Sequence, residues 1–168
     1  DFMKTIRLNT FETNSSSCHS VTICKKSFYD KLMNYEAFYT GNFDVCSDDS
    51  TFINELDEEH VMNLDEVKTA MKEGATEDLK NPALSDYRRK IAQEVLDNLD
   101  KLTLDFVREK PVEWYNEEWA DKIERYCDFT SPTRLFGTEN GDDYCEDSME
   151  YDLADGDKLL IRVVNISC

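Results

Sequence analysis

Apolar and polar residues alternate near both ends of this chain, whereas apolar positions in the middle recur at helical spacing. Alternation over residues 4–8 and again over 20–24 predicts two strands, joined by an eleven-residue polar connection. Towards the other end, "EDSMEYDL", "ADGD" and "KLLIRVVNI" predict a β-hairpin with a tight turn at Asp155 and Gly156. The second arm is rich in Leu, Ile and Val, which is typical of a central strand.

The middle of the chain predicts a first helix that begins at Ser27 and carries an apolar stripe as far as Tyr39, with Gly41 ending it. A second, shorter helix is predicted from Asn63 through Lys72, ended by Gly74. Residues 75–83 are expected to form a loop.

The longest apolar stripe follows Ser85, which is placed to cap a third helix whose buried face comprises Tyr87, Ile91, Val95 and Leu99. Residues 103–107 fit either a strand or a prolonged helix. Residues 112–127 are consistent with a further helix that buries Trp119 and Ile123, while residues 43–60 fit no regular element.

These elements predict an α+β fold: one domain over residues 3–168, with a mostly antiparallel sheet and three to five helices packed on it. Asp1 and Phe2 precede Met3, which we take as the native first residue. A chain of 168 residues with 40% hydrophobic content is long enough for a real core.

Six cysteines are scattered without a Cys-x-x-Cys pair, so a zinc site is disfavoured and we expect reduced thiols in a cytoplasmic protein. The longest apolar runs reach only four or five residues, so no membrane span is expected.

The charge is unevenly divided. The net charge is −18, yet residues 1–35 contain five bases and three acids. A nucleic acid is therefore tolerated best near the start of the chain, and the remaining acidic surface favours a basic partner or plain solubility.

The polar connection "TFETNSSSCHS" contains residue types that suit RNA cleavage. Glu12 is a candidate general base and His19 a candidate general acid or phosphate ligand, because RNA supplies its own 2′-hydroxyl nucleophile. Candidate substrate-binding residues are Arg7, Asn14, Ser15, Ser16, Ser17, Lys25 and Lys26. The alternative is a structural loop whose hydroxyls bond to the local backbone.

A second candidate segment, residues 139–157, holds nine acids and no base. Asp142, Asp143, Glu146 and Asp147 offer oxygens to a divalent cation, but EF-hand spacing is absent. A solvated hairpin edge is the favoured interpretation, and an array of negative charge facing a basic groove is a third.

The stretch "LNTFETNSSSCHSVTI" resembles the opening of small phage and mobile-element proteins that begin with "NTFETNSSS", one variable residue, then "HS". Cys18 occupies the variable position here. The resemblance covers about the first 22 residues. Part of this group is connected with anti-CRISPR proteins that inhibit the RNA-guided nuclease of type II systems. The resemblance implies that the protein damages the guide RNA and that Glu12 is essential for this.

Together these observations favour an anti-CRISPR endoribonuclease acting in the bacterial host cytoplasm, with Glu12 and His19 as its catalytic residues. The expected partners are the effector nuclease, its guide RNA, or both. No cofactor is expected, and a divalent metal is not indicated. The alternative is a non-catalytic acidic inhibitor that covers the effector's guide-binding or DNA-binding channel.

Overall fold

The computed structural model describes residues 17–45, 52–109 and 119–167. The strand predicted at residues 4–8 and the site candidates Arg7, Glu12, Asn14, Ser15 and Ser16 lie outside the described residues. The elements in chain order are β1 (Ser17–Lys25), α1 (Lys26–Met33), β2 (Phe38–Tyr39), β3 (Phe52–Glu55), β4 (Val61–Met62), α2 (Leu64–Lys80), α3 (Asp86–Asn98), α4 (Leu104–Glu109), α5 (Ala120–Tyr126), α6 (Pro132–Phe136), β5 (Tyr144–Asp152) and β6 (Lys158–Ser167).

The chain forms two compact units, each assembled from stretches that are separate in sequence. The first comprises Asp1–Lys25, Asn42–Leu56 and Thr133–Cys168, and the second comprises Lys26–Gly41 and Asp57–Pro132. The predicted α+β class is confirmed. The described residues form six α-helices, one more than expected, and the five-residue α6 had no periodic signal long enough to detect.

The first unit is built on a four-stranded sheet with strand order β3-β1-β6-β5. β1 pairs with β6 antiparallel over nine residue pairs, from Ser17 with Ser167 to Lys25 with Leu159. β5 pairs antiparallel with β6, and β3 pairs parallel with β1. The hairpin and the central position of its second arm are therefore confirmed.

Helix α6 is tied to this sheet through its last carbonyls. The Thr22 hydroxyl donates to the Leu135 carbonyl at 2.6 Å, and Arg162 Nε donates to the Phe136 carbonyl at 2.9 Å. Carbonyls at the end of a helix lack partners within it, so these side chains satisfy them. The contact fixes where the loop after α6 enters β5.

The second unit is mainly helical, with β2 and β4 as a two-stranded ribbon. Asn63 and Ser85 cap α2 and α3 as predicted, and Asn63 forms a full capping box with Glu66. The core of this unit includes Val67, Met71, Ala75, Ala92, Val95, Leu102, Val107, Trp119 and Ile123. Trp119 and Ile123 are thus core residues, as expected. No helix among the described residues is long and apolar enough to span a membrane.

The first predicted helix was too long. α1 ends at Met33, and Tyr35 follows in the left-handed region with a φ of 56°. That conformation ends a right-handed helix, and residues other than glycine, asparagine and aspartate rarely adopt it. Phe38 and Tyr39 then pair with β4 instead of continuing the helical stripe.

Two further expectations about the helices were wrong. α2 continues through Gly74 to Lys80, so most of the predicted loop at 75–83 is helical. Tyr87 is 71% exposed, and the buried face of α3 is formed by Ala92 and Val95. Small Ala92 was not counted in the stripe, although it allows close helix packing.

Gly74 is required by packing rather than by its backbone conformation. A Cβ at this position would lie 3.1 Å from Cγ of Tyr126 and closer still to Cδ1. The ring of Tyr126 is held in place because its hydroxyl donates to Asp78 Oδ2 at 2.9 Å. Gly74 thus lies inside α2 because of its contact with Tyr126, although the local sequence pattern predicts that the helix ends there.

We expect Gly74→Ala to lower the free energy of unfolding by about 1 to 2 kcal/mol, because overpacking costs more than the gain in helix propensity returns. Chemical denaturation measures this. In a Tyr126→Ala background the same change should be neutral or stabilising. A stabilising effect in the presence of Tyr126 would contradict the packing account.

Candidate functional site

Of the predicted site residues, Ser17, His19, Lys25 and Lys26 lie within the described part of the chain. Ser17 is the first residue of β1, where its backbone is paired with that of Ser167. His19 follows in the same strand and is only 4% exposed. Lys25 ends β1, and Lys26 begins α1.

Lys25 and His19 lie near opposite ends of β1. Lys25 is six positions after His19 in the extended strand, which corresponds to about 20 Å. Lys25 Nζ lies 3.1 Å from Asp155 Oδ2, and Lys26 Nζ lies 3.0 Å from Asp30 Oδ1. Both positive charges are therefore partly neutralised by a neighbouring carboxylate.

The pairing of Lys25 with Asp155 also belongs to the turn of the hairpin. The pKa of Asp155 is lowered, first by a hydrogen bond from the backbone N–H of Asp157 and then by the Lys25 ammonium. Both side chains are exposed, so the pair adds little stability. Its position at the far end of the sheet makes it part of the turn rather than of a site around His19.

His19 instead joins three side chains on neighbouring strands, and we call these four residues the polar row. The register aligns His19 of β1 with Asn165 of β6, and Asn165 with Tyr144 of β5. Glu146 of β5 completes the row. His19 Nε2 lies 3.1 Å from Glu146 Oε1.

Glu146 Oε1 is the centre of the polar row. Asn165 Nδ2 donates to it at 3.1 Å and to the Tyr144 hydroxyl at 2.9 Å. The Tyr144 hydroxyl donates to the same Oε1 at 3.4 Å. The direction of the contact between His19 and Glu146 depends on the tautomer of the ring, and an ionised carboxylate would favour the proton on Nε2.

A β-bulge places Glu146 at this position. Cys145 pairs with Val164 and Asp147 pairs with Val163, so Glu146 has no partner on β6. Bulges redirect a side chain and are over-represented beside active sites. Here the extra residue directs its carboxylate across Asn165 towards His19.

The loop before β5 holds the bulge in register. Thr138 accepts from the backbone N–H of Cys145 at 2.9 Å, and its own N–H donates to the Asp143 carbonyl at 3.0 Å. Gly137 has a φ of 70°, and a Cβ there would lie 2.6 Å from Cys145 N. Only glycine permits this close approach in that conformation.

The polar row leaves one acceptor unused. Glu146 Oε2 is buried and receives no hydrogen bond from the described residues. The Glu146 side chain as a whole is 18% exposed. A buried polar atom without a partner lowers stability by about 1 to 3 kcal/mol, so stability alone does not explain a carboxylate at this position.

The other candidate reactive groups near the polar row are the Cys145 thiol and the acidic side chains considered as metal ligands. Burial raises the pKa of the Cys145 thiol, which keeps it protonated and poorly nucleophilic. In the described ranges no group of three His, Cys, Asp or Glu residues is arranged to hold a metal ion. Of the four proposed acidic metal ligands, Glu146 is directed to His19, and Asp143 lies 3.6 Å from Arg134.

Sequence reasoning selected His19 but missed its partners. Glu146 was assigned to a separate acidic segment, and Tyr144 and Asn165 were not selected at all. Asn165 had a usable signal, because an amide in an otherwise apolar central strand requires a hydrogen-bond partner when it is buried. It is 7% exposed.

No protein-family model matches this chain, and no curated protein or solved structure is significantly similar to it.

The two histidines provide a direct test of the burial of the polar row. The side chain of His60 is 61% exposed and that of His19 is 5% exposed. We expect diethylpyrocarbonate to modify His60 readily. His19 should react at least about tenfold more slowly, since it must first be uncovered by local opening. Mass spectrometry of the modified peptides measures both rates, and equal rates would contradict this burial.

Proposed function

We propose that this chain is a phage-encoded anti-CRISPR protein that inactivates a type II CRISPR effector in the host cytoplasm by cleaving its guide RNA. The observation that supports this best is the position of the motif histidine. His19 is a buried polar residue at the start of a central strand, held by a carboxylate through a 3.1 Å contact. A merely solvated loop has no need of such an anchor.

The reaction requires only groups that the motif supplies. A general base removes the proton of a 2′-hydroxyl, whose oxygen attacks the adjacent phosphorus. The bond from phosphorus to the 5′-oxygen breaks, and an acid protonates that leaving oxygen. The products are a 2′,3′-cyclic phosphate and a free 5′-hydroxyl.

In this proposal Glu12 is the general base and His19 is the general acid or phosphate ligand. The assignment of Glu12 rests on the resemblance of the motif. His19 is 4% exposed, so its contact with RNA requires local opening around the start of β1. Glu12 is therefore the residue on which the test depends.

The test incubates the protein with guide RNA, alone and bound to the effector, and resolves the RNA on a denaturing gel. We expect shortened RNA with the wild-type protein and about 10²- to 10⁴-fold slower cleavage by Glu12→Gln, the range for loss of a general base. Glu77→Gln, an exposed change on α2, should cleave normally. Intact RNA in every lane, with inhibition retained by Glu12→Gln, would reject the proposal.

A second candidate function is steric inhibition by the acidic hairpin. β5 is an edge strand, and most of its side chains are exposed, including Glu150 and Asp152. An exposed row of carboxylates complements the basic channels in which effectors hold nucleic acid. This function needs no catalysis.

Charge reversal separates the two functions. If the hairpin blocks the effector, the double variant Glu150→Lys and Asp152→Lys should lose inhibition by at least about tenfold, while Glu12→Gln retains it. Glu77→Lys changes one charge on an exposed helix and serves as the control. Binding should also weaken as salt rises. Normal inhibition by the double variant would exclude this account.

A further inference from the structure

We infer that Glu146 is a positioning residue for His19, so that the acidic hairpin contributes a residue that holds the motif histidine. This inference rests on the proposed function, in which His19 takes part in RNA cleavage. It adds a residue that lies 127 positions away in the sequence and outside the motif.

The hydrogen bond itself specifies what Glu146 does. The contact between Oε1 and Nε2 favours the form of the imidazole with a proton on Nε2, because an ionised carboxylate only accepts hydrogen bonds. A carboxylate that fixes the tautomer of a catalytic histidine is a recurring arrangement in enzymes. The ring is also restricted in orientation, since it is buried and Nε2 contacts Glu146.

The rest of the polar row serves Glu146 rather than His19. Asn165 Nδ2 and the Tyr144 hydroxyl both donate to the oxygen that His19 uses. Three donors therefore converge on Oε1, while Oε2 receives none from the described residues. This arrangement directs Oε1 at the histidine and leaves Oε2 without a donor among the described residues.

The bulge supports the same inference. Cross-strand pairing is continuous on both sides of Glu146, so the ladder does not require a residue there. Glu146 is not needed for strand pairing, and its Oε2 receives no hydrogen bond from the described residues. Its presence is therefore better explained by the residue that it contacts. Its contact is the motif histidine.

Neighbouring charges do not replace Glu146. Asp147 pairs with Val163, which is two residues from Asn165 on β6, and Glu150 lies 3.6 Å from Lys158 Nζ near the turn. Glu150 is thus a matched control: the same residue type on the same strand, engaged elsewhere.

The experiment compares wild type, Glu146→Gln and Glu150→Gln by NMR of the histidine ring nitrogens, with His60→Gln in each so that His19 is the only histidine. We expect the wild-type ring to carry its proton on Nε2. In Glu146→Gln the amide offers either a donor or an acceptor, so a mixture of tautomers should appear. Glu150→Gln should match wild type. Unfolding should show that Glu146→Gln is as stable as wild type, which a purely structural role would not allow.

RNA cleavage is measured on the same variants without the His60 change. Glu146→Gln should cleave at least about tenfold more slowly, and up to about 10⁴-fold if the wrong tautomer dominates. Wild-type cleavage by Glu146→Gln, or an unchanged tautomer, would overturn the inference. If wild type itself cleaves no RNA, the proposed function fails, and the tautomer alone decides whether Glu146 positions the ring. If Glu146→Gln does not fold, a wild-type ring without the proton on Nε2 overturns the inference.

Discussion

The candidate site depends on the pairing of β1 with β6. Nine residue pairs hold these two strands together in the centre of the sheet. Because side chains alternate between faces, a slip of one residue would move His19 and Asn165 to opposite faces. The observed register places buried Val21 opposite buried Val163. The same register determines where the polar contact forms.

Burial of polar groups in this sheet is tolerated because most of them find partners. Thr22 is 1% exposed and donates to a helix carbonyl, and Asn54 is 7% exposed and bonds both backbone groups of Asp44. Glu146 Oε2 and the Ser20 hydroxyl are the exceptions among the described residues. Two unpaired atoms in one small sheet make that sheet less than optimal for stability, as functional regions commonly are.

Local patterns were sufficient for part of the fold. The hairpin of β5 and β6 and the caps at Asn63 and Ser85 involve residues close in sequence, so periodicity and cap chemistry predicted them. Gly74 misled the same reasoning, because the ring of Tyr126 that requires a glycine is distant in sequence. Tyr35 has no local signal for its left-handed backbone.

The site divides in the same way. His19 was identifiable from its residue type within a polar segment, whereas its carboxylate partner depends on the registers of three strands and on one bulge. No spacing rule joins residues so far apart. Lys25 is close to the motif in sequence, yet it lies six positions after His19 in an extended strand, which corresponds to about 20 Å.

The bulge has a consequence for how such a site arises. β5 contains one residue more than its pairing with β6 requires, and that residue is Glu146. Insertion of a single codon into a regular hairpin would therefore be enough to supply the carboxylate, while every existing cross-strand pair is kept. The contact between Glu146 and His19 can therefore be added to the sheet without changing the other residue pairs between β5 and β6.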